Sequence, residues 1–189
     1  MKVVMLTFAL LLVSCGRQEI QEQKPAAAGD GTQNERKPAT ADDETQIEEM
    51  LLRLYNGMER AYNDGGVDSD SLINANYDKD VLYITPWGWT EPIDSTKARL
   101  RNAFGHVRDY SHRIESMRVK SFGTAAYAFF ILRQQYTVDG GQLDEYLPTT
   151  LALERRRGDW KIIHAHRSTD YETMQQYVAL QKQRAAKKK

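Results

Sequence analysis

Between residues 42 and 62 apolar side chains return every three or four positions, at Ile47, Met50, Leu51, Leu54, Tyr55, Met58 and Tyr62. That spacing lines one face of an α-helix and predicts that the face is buried. Asn63-Asp64-Gly65-Gly66 ends the pattern, since glycine leaves a helix most readily. Asp68 predicts the cap of a short second helix reaching about residue 75, with residues 76–80 as a linker. Residues 81–85 are β-rich and predict a strand, broken by Pro86, which has no N–H for a ladder. Pro86-Trp87-Gly88-Trp89 reads as a turn carrying two large aromatics. Asp94 or Ser95 predicts the cap of a third helix, to about Phe104, stopped by Gly105.

After Gly105 the period shortens to two. Strands are predicted over about 111–121, 124–138, 143–156 and 160–168, joined by Phe122-Gly123, Asp139-Gly140-Gly141 and Gly158-Asp159. Short turns between consecutive strands predict an antiparallel meander. The second of these strands is apolar on both sides, with Ala126, Ala128, Phe130 and Leu132 on one face and Tyr127, Phe129 and Ile131 on the other. One face can pack on the helices, and the other needs a cover of its own. In the last strand, strict alternation puts Trp160, Ile162, His164, His166 and Ser168 on one side and Lys161, Ile163, Ala165 and Arg167 on the other. A closing helix is predicted over 171–186, before a tail ending in Lys187-Lys188-Lys189. The tail reads as solvated, with weak attraction to anionic lipid as the alternative.

The start of the chain has a different character. One lysine precedes an apolar run from Val3 to Val13, too short to cross a bilayer comfortably as a helix, which reads as a secretory signal. It closes on Leu12-Val13-Ser14-Cys15, which resembles the lipobox of bacterial lipoproteins and implies acylation of Cys15. The alternative is a buried cysteine, but nothing downstream is apolar enough to cover it. Residues 16–42 are polar, with Ile20 the only large aliphatic, and predict a linker that cannot offset its ordering entropy. The expected organisation is a signal over 1–15, a linker over 16–42, one globular domain over 43–170 and a helix with basic tail over 171–189. That places the domain at a bacterial cell envelope, periplasmic or outer-membrane-associated, with the acyl chains as its one membrane contact. Lysine plus arginine and aspartate plus glutamate number 26 each, so bulk charge gives no reason to expect a nucleic-acid partner. The single cysteine excludes an internal disulfide framework, and no Cys/His cluster has zinc spacing.

The terminal phrase Trp160-x-x-x-His164-x-His166-x-Ser168 resembles the last strand of the nuclear transport factor 2-like superfamily. The likeness is to its SnoaL-like proteins and to the association (hub) domain of calcium/calmodulin-dependent protein kinase II. It extends to Ala125-Ala126-Tyr127 through Gln135-Tyr136, to Thr150 and to Tyr83-Ile84-Thr85-Pro86. This resemblance implies an α+β, cone-shaped, cystatin-like fold in which a curved antiparallel sheet packs on N-terminal helices around a conical pocket. It also implies a homodimer formed through the outer sheet face. Hub domains hold small carboxylates with arginines and a histidine, and Arg167 stands where one pocket arginine does. The other two arginine positions fall on Leu132 and Leu151, the histidine near Thr96 and a pocket tryptophan on Phe104. The implied site is a mostly apolar pocket with one cation, lined by Arg167, Tyr83, Thr85, Phe104, Gln134 and Tyr136, for a small organic acid with a hydrophobic body.

His164 and His166 are candidate acid–base catalysts, because imidazole titrates near neutral pH. With Arg167 facing the pocket, parity turns both histidines outward beside Trp160 and Ile162, unless a bulge between them reverses the faces. Two histidines at this spacing lack a nearby third ligand, so neither metal nor cofactor is expected. Isomerase chemistry of the ketosteroid type needs an inward carboxylate. Asp80, Glu91, Glu115, Asp144, Glu145 and Glu154 read as lying at strand ends, on turns or on the outer face. No Gly-x-Ser-x-Gly elbow occurs. The expected function is a lipid-anchored small-molecule-binding or assembly module. The alternatives are a SnoaL-like isomerase, dehydratase or cyclase using a pocket His or Tyr, and a protein-interaction module using the two-sided strand and the Trp87/Trp89 pair.

Overall fold

The computed structural model describes residues 41–104 and 106–187. The signal with Cys15, the linker up to residue 40, Gly105 and the last two lysines lie outside the described residues. Helix α1 spans Ala41–Asn63, and Asp42, Asp43 and Glu44 in its first turn oppose the positive end of the helix dipole. Its stripe is buried as its period predicts, with Ile47, Leu51, Leu54 and Tyr55 almost inaccessible. Helix α2 is Ser69–Asn76, and the Asp68 carboxylate accepts from the backbone N–H groups of Asp70 and Ser71. Gly57 lets the two helices approach closely, since a Cβ there would sit 2.8 Å from Leu72 Cδ1.

Strand β1 is Tyr77–Ile84, so the stretch expected as a linker is already strand. A two-residue strand β2, Thr90–Glu91, pairs back onto β1 around the Trp87–Trp89 turn. Helix α3 is Ile93–Ala103 and starts at Pro92, with no side-chain cap from Asp94 or Ser95. Then follow β3 (Val107–Phe122), β4 (Ala125–Val138), β5 (Gly141–Arg156), β6 (Asp159–Arg167) and helix α4 (Tyr171–Lys187). The strands form one open sheet in the order β2-β1-β6-β5-β4-β3. Every pair is antiparallel except β1 and β6, which the intervening α3 and meander bring side by side in parallel.

Register slips shape this sheet, including one between β1 and β6 after Tyr77. In β3 the register against β4 slips twice, near Asp109 and Ser116, both with φ of 54°. Residues in that left-handed region mark bulges, which bend a strand and sharpen its twist. In β6 the register against β5 slips between Ile162, opposite Leu153, and His164, opposite Ala152, leaving Ile163 as the extra residue. Strict alternation therefore fails there. Trp160 and Ile162 are buried in the core together with Ala165, not outside with the histidines. The guanidinium of Arg155 lies 4.8 Å from the Trp160 ring and pairs with Asp43, tying the start of α1 to β5.

The core lies between α1 and the inner sheet face. Phe130, Leu132, Leu151, Leu153 and Ile162 are fully buried there, and Tyr55 sets its ring edge-on to Phe130 at 5.5 Å. Leu132 and Leu151 fill space in that core. The outer face of β4 and β1 stays partly in solvent, with Tyr127 46% and Leu82 49% exposed.

Candidate functional site

At the end of the sheet away from Trp160 the inner face stops being filled. Past Phe130 and Leu132, β4 presents Gln134 and Tyr136, and β5 presents Leu143, Glu145 and Leu147 in the same phase. With α1, α3, α4 and the β1–β2 turn these strands enclose a cavity of about 980 Å³. Arg167, Tyr83, Thr85, Gln134 and Tyr136 all line it. Phe104 does not: the chain turns at the end of α3, and the Phe104 ring rests edge-on against Tyr62 at 5.3 Å, supporting the wall from behind. Thr85 donates to the carbonyl of Trp89 and fixes the turn at the mouth.

His164 and His166 point away from this cavity. His166 is exposed and His164 half-buried, paired across the outer face with Thr150 and Ala152. The bulge precedes both histidines, so it moves Trp160 and Ile162 inward and leaves the imidazoles outside. Among the described residues no three His, Cys, Asp or Glu side chains converge on a possible metal position.

Arg167 is the isolated cation. Its Nη2 donates to the Tyr55 hydroxyl at 2.9 Å, and its guanidinium carbon lies 5.8 Å and 5.9 Å from the ring centres of Tyr55 and Tyr83. Its Nε is buried without a partner. Among the described residues no carboxylate lies within salt-bridge distance of it. Guanidinium keeps its charge under all ordinary conditions, so the positive end of the cavity has no fixed counter-ion. A second guanidinium, Arg99, also lines the cavity but is already paired, donating to Glu91 at 3.2 Å and 3.0 Å. Burial alone would raise the Glu91 carboxyl, but the hydrogen bonds from Arg99 and Thr96 outweigh it and hold it below the usual range.

Glu145 overturns the expectation that no carboxylate faces inward. It is 3% exposed, and its position follows from alternation with Leu143, Leu147, Leu151 and Leu153. The Tyr136 hydroxyl donates to its Oε1 at 3.1 Å, Tyr177 from α4 donates to the same oxygen, and Gln134 Nε2 donates to Oε2. The two phenolic oxygens stand 2.7 Å apart, and Tyr110 donates to Gln134 Oε1 at 2.7 Å. Three oxygens thus share the two phenolic protons. Glu91, also expected to face away, lines the cavity near the mouth.

Seven tyrosines line this one cavity, Tyr55, Tyr62, Tyr77, Tyr83, Tyr110, Tyr136 and Tyr177. Burial raises the phenols of Tyr55, Tyr77, Tyr110, Tyr136 and Tyr177 and pushes Tyr62 to about 12. They remain protonated donors near neutral pH. The Trp87 and Tyr177 rings stand perpendicular with centres 4.6 Å apart, and Trp87 lies roughly parallel to Trp89 at 6.5 Å.

A family model described as a SnoaL-like domain matches residues 52–172. The chain belongs to the SnoaL-like domain family. Among curated proteins none matches the sequence. A nuclear transport factor 2-like protein from Cytophaga hutchinsonii superposes with a TM-score of 0.57 at 13% identity, covering 70% of this chain and 100% of its own. A kinase II hub from S. rosetta gives 0.56 at 17% identity, covering 70% and 99%. A protein assigned to scytalone dehydratase from Novosphingobium aromaticivorans gives 0.57 at 14%, covering 68% and 85%. At these identities the solved structures establish the fold of this SnoaL-like domain. The family match ends at Glu172, so Tyr177, Leu180 and Gln181 extend the cavity wall beyond the matched residues.

The inward carboxylate was legible in principle, because a charged residue in phase with an apolar row belongs to that row's face. Tyr177 and Arg99 were not, because which strand a helix docks against is settled by tertiary packing.

Proposed function

We propose that this domain binds a small organic acid whose hydrophobic body fills the cavity and whose carboxylate reaches Arg167. The observation that carries the reading is the guanidinium of Arg167 on the wall of this tyrosine-rich cavity, with no carboxylate within salt-bridge distance among the described residues. Charge-assisted hydrogen bonds to a carboxylate would satisfy it and are about twice as strong as neutral ones. In a screen of small carboxylic acids, wild-type protein is expected to melt at higher temperature with a bound acid, and Arg167→Ala to lose that stabilisation. Stabilisation retained in Arg167→Ala would reject the site.

Glu145 favours a second reading, in which the bound acid is also turned over by an isomerase or dehydratase mechanism. A carboxylate beside two phenols can take a proton from carbon while a phenol donates to the neighbouring carbonyl oxygen. Wild-type protein should then catalyse deuterium exchange next to the carbonyl of a cyclic keto acid, and Glu145→Gln should not. No exchange in wild type would leave binding alone.

The chain is further proposed to dimerise through the outer sheet face, supported by the exposed Tyr127 and Leu82 side chains. Tethering at a bacterial envelope is proposed from the Leu12-Val13-Ser14-Cys15 segment. Cys15→Ala should move the protein to the soluble fraction, and unchanged membrane retention would reject the tether.

A further inference from the structure

Trp89 is 60% exposed, yet it is firmly placed. Its carbonyl accepts from the Thr85 N–H at 3.0 Å and the Thr85 hydroxyl at 3.2 Å, and the Gly88 N–H closes the turn onto the Thr85 carbonyl at 3.0 Å. Gly88 takes a φ of 86°, which glycine alone adopts freely, so the turn that carries Trp87 and Trp89 has a defined geometry. A large apolar ring fixed in water is costly unless something covers it. Both rings line the same cavity as Arg167, as do Tyr177 and Leu180 of α4, and the Tyr177 ring meets Trp87 at 4.6 Å.

The interior adds a chemical constraint. The hydroxyls of Tyr62, Tyr77 and Tyr83 make no hydrogen bond among the described residues, and they line the cavity. Burial keeps Tyr62 and Tyr77 protonated. Donors left over inside an aromatic wall call for a ligand that brings acceptor oxygens on flat surface. The volume of about 980 Å³ lies at the upper end of small-molecule sites, which run to roughly 1,000 Å³. A two- or three-carbon acid at Arg167 would leave nearly all of it unfilled.

We propose that the Trp87–Trp89 turn and Tyr177 form a ring-binding subsite at the mouth, and that the acid this domain takes is a planar, ring-bearing carboxylic acid, not a flexible aliphatic one. The inference rests on the organic-acid reading and deepens it. The carboxylate lies inside at Arg167, ring oxygens meet the free phenols, and the outer ring stacks on Trp89.

Three probes of similar carbon number separate the parts: 2-naphthoate, decanoate and uncharged 2-naphthol. Binding is followed by calorimetry, with fluorescence of Trp87 and Trp89 as a second signal. Wild-type protein should bind 2-naphthoate about tenfold or more tighter than decanoate, the worth of one good ring contact. Trp89→Ala, at an exposed position, should keep the wild-type melting temperature. It should lose about tenfold for 2-naphthoate and less than about twofold for decanoate. Arg167→Met should weaken both acids and leave 2-naphthol unchanged. Equal binding of the two acids, or a Trp89→Ala loss shared equally between them, would overturn the ring subsite while sparing the organic-acid reading. Trp89-dependent binding of 2-naphthol with no binding of either acid would overturn the organic-acid reading and the acid class inferred here. No binding of any probe to wild type would overturn both.

Discussion

A guanidinium enclosed without a counter-ion costs folding free energy, and replacing such a charge by a hydrophobe of similar length is often neutral or stabilising. The hydrogen bond of Arg167 to Tyr55 and its contacts with the Tyr55 and Tyr83 rings offset part of that cost. Arg167→Met should leave the urea midpoint of the ligand-free protein unchanged or raise it, within about 1 kcal/mol, and a loss of several kcal/mol would show that Arg167 is structural. Glu145 is the opposite case, since Gln134, Tyr136 and Tyr177 all donate to it. Glu145→Ala would strand those donors, and a buried group left unsatisfied costs about 1–3 kcal/mol, measurable by urea denaturation. The phenols predict an alkaline limit. Tyr62 ionises at about 12 in the folded protein, against its ordinary value of 10.0. The unfolded chain thus loses its proton first, and the contribution of Tyr62 is whole below about pH 10 and lost as pH rises towards 12. Stability followed by urea midpoint should fall across that window and fall less steeply in Tyr62→Phe. A flat profile would contradict the burial of this phenol.

The elements divide by how their positions are fixed. Helix α1, the inner row of β4 and the turns between strands are set by local period and by glycine, so they were legible in the sequence. The Ile163 bulge was not, because it exists only as a mismatch between β6 and β5, and it reversed the expected faces of Trp160 and Ile162. Parallel pairing of β1 with β6 has the same origin in long-range packing. Docking of α4 is likewise tertiary: Gln176 and Thr173 hydrogen-bond the β5 backbone at Asp144 and Tyr146, and Gly141 admits Leu180. A Cβ at position 141 would lie 2.8 Å from Leu180 Cδ1. Overpacking of this kind costs about 1–3 kcal/mol. Gly141→Val should then make the amides of α4 exchange roughly five- to a hundredfold faster, with the α1 and β4 amides unchanged. Uniformly faster exchange would mean that α4 is not a separable wall.

At the scale of the whole molecule, one sheet has two unlike faces. Its inner face forms a core at one end and a tyrosine-lined cavity at the other, while its outer face carries Tyr127, Phe129 and Ile131 from β4 and both histidines of β6. A chain of 21.7 kDa that pairs through the outer face should sediment at twice that mass, and Ile131→Glu should sediment at the mass of one chain with little change in melting. Sedimentation of wild type as a single chain would reject the pairing. The cavity itself is tested most directly by a crystal structure of the protein soaked with 2-naphthoate. A carboxylate oxygen about 3 Å from a terminal guanidinium nitrogen of Arg167, with the ring system extending towards Trp89, is the predicted result. Naphthoate held in the cavity with its carboxylate away from Arg167, or a cavity that admits no acid, would contradict it.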